Sequence, residues 1–136
     1  VIKTFINLPV SDLDQSVAFY TELGMTPEPK FTDETAACMV LSDAIHVMLL
    51  THPKFSEFTP RPIADARAAT QVLNTFTLES REAVDELAAR ALAAGATEIR
   101  DPEDHGFMYG RSVDDPDGHI WELFWIDETA VPAETQ

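Results

Sequence analysis

The sequence predicts an α+β fold made of a duplicated strand-helix-strand-strand unit. Three observations predict it. An alternating segment, a capped amphipathic stretch and a glycine follow one another twice. The two stop glycines, Gly24 and Gly95, stand 71 residues apart in a chain whose half-length is 68. Each copy then closes on strand-like runs, the second pair joined by a turn rich in Asp, Pro and Gly.

Taken in order, KTFINLPV alternates as a strand, with Ile6, Leu8 and Val10 on one side and Phe5, Asn7 and Pro9 on the other. Ser11 or Asp12 can cap a helix carrying Leu13, Val17, Phe19, Tyr20 and Leu23, and Gly24 supplies its left-handed stop. After a proline-containing loop, TAACMVL and AIHVMLLT read as strands turning at Ser42-Asp43. The second copy opens with the strand VLNTFTL. Ser80 then caps a helix with Val84, Leu87, Ala88, Ala91 and Leu92 on one stripe, and Gly95 ends it. FMYGRSV and HIWELFWI follow, joined by DDPDG, where proline fixes φ and glycine admits a positive one. Each copy has room for one short extra strand. The segment 53–70, with three of the nine prolines, joins the copies as a surface linker or as a lid.

A chain of 136 residues fits one domain that buries about two thirds of its unfolded surface. Its 24 acidic and 9 basic residues give a net charge of -15, which repels phosphate backbones and anionic lipid, so neither nucleic acid nor a membrane is the expected partner. No apolar run of about 18 residues and no secretion-signal pattern occur, and the single Cys38 lies in an apolar run as a core thiol. The cytoplasm is the expected compartment.

The segments FINLPVSDLDQSVAFYTELG and VDELAARALAAGA, and above all DPDGHIWEL, resemble the vicinal oxygen chelate superfamily of glyoxalases, bleomycin resistance proteins and extradiol dioxygenases. The resemblance covers about residues 2–127. The closing FMYGRSVDDPDGHIWE is most similar to a bacterial subgroup labelled predicted lactoylglutathione lyase. The resemblance implies two βαβββ modules whose curved mixed sheets form a ligand cleft, commonly in a homodimer. It lays out module one over about 1–52, a linker over 53–70, module two over about 71–127 and a tail over 128–136.

It also implies four metal-ligand positions on the first and last strands of the two modules. They fall on Phe5, Met48, Leu73 and Glu122. The metal-using members would hold a divalent ion there, but the cofactor of this chain stays open, because three of the four residues are apolar and a catalytic ion wants about three oxygen or nitrogen ligands. Glu122 alone would make a weak metal ligand, and His46, on the parity of Met48, would be a weak substitute.

The candidate centre is therefore Glu122, a carboxylate inside an aromatic run, acting as base or ligand or else paired with an arginine such as Arg111. Phe5, Met48 and Leu73 would floor the pocket, with Asn7 and Thr75 as small polar groups on its wall. His105 and Tyr109 lie near glycines that leave room for a ligand. Arg111 can hold a carboxylate, or pair with Asp114 or Asp115. His119 is expected to bond local backbone from the turn, and His52 to be exposed. Histidine is absent from both first strands, which argues against a dioxygenase. Two readings follow: a small-molecule binding protein without a standard metal centre, or a metal-dependent lyase moving a proton through an enediolate. A ligand-free structural module is the third.

Overall fold

The computed structural model describes residues 1–132; the last four residues of the expected tail lie outside the described residues. Two four-stranded mixed sheets carry the chain. The first has the order β1 (Thr4–Val10), β4 (Ile45–Thr51), β3 (Ala36–Ser42), β2 (Thr26–Glu28). The second repeats it with β5 (Leu73–Thr77), β8 (Ile120–Ile126), β7 (Met108–Asp114) and β6 (Glu103–Asp104). In each sheet the first strand runs parallel to the last and the remaining pairs are antiparallel. The short extra strands are β2 and β6.

Helix α1 (Leu13–Glu22) starts at Asp12, whose carboxylate accepts from Gln15 N at 3.1 Å; helix α3 (Arg81–Ala93) starts at Ser80, whose hydroxyl accepts from Ala83 N at 3.0 Å. Gly24 and Gly95 follow them with φ of 100° and 110°. The helices span 10 and 13 residues, so the second copy gains three residues between cap and stop.

The linker holds one helix that its composition hides. Pro53 reads as a breaker, yet it stands at the start of α2 (His52–Ser56), where proline's missing N–H is no loss; Thr51 caps it. The helix begins at His52, so it straddles the boundary expected between module one and linker. The turn between β3 and β4 falls at Asp43 and Ala44, one residue later than the sequence reading.

Both helices cover the same side of the sheets, and a single core fills the space between. Val10, Val47 and Leu49 of the first sheet join Val113, Trp121 and Leu123 of the second, with Phe19, Tyr20, Val84, Ala88 and Ala91 from the helices. Its polar heart is Asp115. That carboxylate, 1% exposed, accepts from Tyr20 Oη at 2.6 Å, His119 N at 2.8 Å and Asp117 N at 2.9 Å, while Trp121 Nε1 donates to Tyr20 Oη at 2.9 Å. Burial pushes the Asp115 carboxyl above its ordinary value, outweighing His119 and the three donors, and raises the Tyr20 phenol as well.

The two copies are also joined near their inner edges. His119 Nε2 donates to Pro9 O at 2.8 Å, and Ser11 N donates to an Asp117 carboxylate oxygen at 3.0 Å. The imidazole therefore ties module to module, where the sequence suggested a local backbone bond. Among the described residues no helix is long and apolar enough to cross a membrane.

Candidate functional site

Strand register settles which side chains share a face, because residues paired across a sheet point the same way. Asn7 pairs with Met48, and Met48 with Cys38; Thr75 pairs with Glu122, and Glu122 with Ser112. Met48 and Glu122 thus hold equivalent places, one beside Cys38 and the other beside Ser112. The first sheet presents a sulfur pair where the second presents an oxygen pair. These residues, with Phe5, His46 and Leu73, face away from the helices. Trp121 and Leu123 take the other face.

On this open face Phe5 is 46% exposed and Leu73 56%, while Phe5 stacks on His46 with ring centroids 4.6 Å apart and planes at 14°. Phe58, 69% exposed, lines a hollow with Asn7 and Leu50. Three of the large apolar side chains open to solvent, Phe5, Phe58 and Leu73, therefore belong to this face or its rim. His46 Nδ1 is buried without a hydrogen-bond partner among the described residues. Gly110 opposes Phe124, whose ring lies where a β-carbon on Gly110 would stand, so only glycine lets the ring lie over this strand.

Glu122 is 7% exposed, and its carboxylate is held by Arg100. Arg100 Nη2 donates to Oε1 at 3.0 Å and to Oε2 at 3.1 Å, while Nη1 donates to Glu103 at 2.7 Å. His105 Nε2 donates in turn to Glu103 at 2.9 Å. Arg100 reaches this place because its segment runs beside β7: Asp114 N donates to Thr97 O, Ile99 N donates to Ser112 O, and β6 pairs at Gly110. Next to Glu122, Ser112 is fully buried and its Oγ has no partner among the described residues. Sequence reading missed Arg100 and Ser112. Arg100 lies in an irregular segment with no period to place it, whereas Ser112 could have been found from its register with Glu122.

Arg111, expected beside Glu122, lies on the opposite face. It pairs with Leu123 in register, donates to Glu98 at 2.9 Å from both Nε and Nη2, and to Asp85 at 3.0 Å from Nη1. Asp114 and Asp115 are not its partners. Tyr109 shares this face and donates to Asp85 at 2.6 Å. The parity of β7 sends both residues toward α3, so the structure does not bring them to Glu122; His105 reaches it only through Glu103 and Arg100.

The Arg111 cluster has an acid signature. The Arg111 hydrogen bond holds Glu98 below its ordinary 4.5, and those from Tyr109 and Arg111 hold Asp85 below 3.8. Depressed carboxylates contribute stability above their unfolded values and lose it as pH falls through the folded ones. Arg111→Met is expected to lose about 1–2 kcal/mol at pH 7, and the deficit should shrink below about pH 4, as urea melts at the two pH values would read.

A metal ion fits this face poorly. The four implied positions carry a phenyl ring, a thioether, an isobutyl group and one carboxylate whose two oxygens are already engaged by a guanidinium. Among the described residues no three His, Cys, Asp or Glu side chains gather as a possible metal-binding group.

A family model described as Glyoxalase/Bleomycin resistance protein/Dioxygenase superfamily matches residues 4–123. No curated protein matches. Among solved structures, a hypothetical protein from S. aureus superposes with a TM-score of 0.78 at 22% identity, covering 92% of this chain and 94% of its own. A glyoxalase-related enzyme from Fulvimarina pelagi gives 0.77 at 23%, covering 90% and 86%. A glyoxalase/bleomycin resistance protein/dioxygenase from Nocardioides gives 0.73 at 25%, covering 98% and 88%.

Proposed function

The chain belongs to the glyoxalase/bleomycin resistance protein/dioxygenase superfamily, and from that footing we propose that it binds a planar, amine-bearing small molecule on the open face without a standard metal centre. One observation carries the reading: Glu122 is the sole carboxylate at the four positions, it is neutralised by Arg100, and the other three are Phe5, Met48 and Leu73. The exposed Phe5 stacked on His46 offers an aromatic platform, and a flat ring continues such a stack at about 0.5–1.5 kcal/mol beyond its area. The net charge of -15 draws cations toward it. An ammonium group would compete with the Arg100 guanidinium for Glu122.

Two titrations test this. Calorimetry of Ni²⁺, Zn²⁺ and Mn²⁺ into chelator-stripped protein is expected to show no micromolar binding. Tight binding near one ion per chain would return the reading to a metal-dependent lyase and call for hemithioacetal assays. Matched two-ring aromatics bearing an amine, no charge or a carboxylate should bind in that order, and Glu122→Gln should remove about tenfold from the amine alone. Equal binding of all three would end the proposal.

A further inference from the structure

A second cavity lies where the linker crosses the junction of the two modules. Its volume is ≈ 350 Å³, within the range of small-molecule sites. Leu8 forms one wall, Val72, Asn74 and Ile120 another, and Phe55 and Ile63 of the linker roof it. Glu122, Arg100, Ser112 and Phe5 take no part in it; it adjoins the hollow beside Asn7 at Phe55 and Thr59 but has its own walls.

The roof is fastened. Arg67 donates through its guanidinium to Pro116 O, and its backbone N–H donates to Asp65 at 3.0 Å. Its main chain also rests on Gly118, where an added β-carbon would stand 3.1 Å from Arg67 N and 2.7 Å from Arg67 Cγ. The linker is thus strapped across the Asp-Pro-Asp-Gly turn by contacts that only glycine permits.

The lining sets the ligand's chemistry. No Asp, Glu, Lys or Arg side chain contributes to it, so a charged guest would lose its hydration without a counter-charge. The wall is mainly aliphatic and aromatic, with the Asn74 amide bonded to no other described residue and the Gln71, Thr59 and Thr70 side chains as further polar groups. His119 also borders the cavity, but its Nε2 is already given to Pro9 O. We infer that this cavity is a binding site for a neutral, compact, largely apolar molecule with one hydrogen-bonding group, of the size of a substituted phenol, held under the linker strap and anchored at Asn74.

The probe is p-cresol, with benzylamine as its charged counterpart, followed by backbone amide shifts in the full chain. Saturable cresol shifts confined to Val72, Asn74, Gly118 and Ile120, with benzylamine at least tenfold weaker there, are expected. Ala66→Leu should fill the space and abolish the cresol shifts while leaving two-ring amine binding at Phe5 unchanged; Phe5→Ala should do the reverse. If Ala66→Leu does not fold, Asn74→Leu takes its place with the same expectation. No saturable shift, or cresol shifts centred on Phe5 and Asn7, would overturn the inference and leave the open-face reading intact.

Discussion

Asp115→Ala is expected to destabilise the fold by about 3–4 kcal/mol. Three donors lose their acceptor at once, the Tyr20 phenol and the amides of Asp117 and His119, and each buried donor left unmet costs about 1–3 kcal/mol. Relief of the buried carboxylate offsets part of that sum. Asp115→Asn keeps an oxygen for the two amides and should cost only about 1–2 kcal/mol. The two variants also differ in what pH does. Burial raises the Asp115 carboxyl, so its contribution is full below the unfolded value of 3.8 and is lost as pH rises through the folded one. The wild type's advantage over Asp115→Asn should therefore narrow between pH 4 and pH 7 in urea titrations. A gap that widens instead would mean the carboxylate is preferred charged.

Arg100→Met is expected to lose about 2 kcal/mol. Breaking a fully buried pair by removing one partner costs about 3–5 kcal/mol, but Arg100 is 42% exposed and solvent screens what remains. The informative measurement is the double variant. Glu122→Gln in the Arg100→Met background should recover most of the loss, because no uncompensated charge is left. Arg100→Met alone should bind the two-ring amine about tenfold more tightly, since the competing guanidinium is gone. Unchanged affinity with lost stability would make Arg100 a structural partner alone.

Much of the architecture was legible because it rests on local rules. Asp12 and Ser80 announce their helices by capping chemistry, Gly24 and Gly95 end them, and the period of two in β1 and β8 sorts Phe5 and Glu122 from Ile6 and Trp121. What stayed hidden depends on contacts between segments remote in sequence. Arg100 reaches Glu122 across 22 positions from an irregular segment, and His119 reaches Pro9 across 110. The position of Arg111 was readable by the same parity rule: it faces Leu123 and therefore α3, one residue out of phase with the Ser112–Glu122 pair.

The order of the strands has a further consequence. The outer margin of each sheet is a fragment: β2 has three residues and contains Pro27, which offers no N–H, while β6 is the dipeptide Glu103–Asp104. A neighbouring molecule seeking to extend either sheet finds almost no free ladder, and on one side it meets two carboxylates. The longer margins, β1 and β5, adjoin the junction that His119 and the linker hold together. The protein thus keeps apolar side chains open to solvent on one face while denying strands from other molecules a template for aggregation.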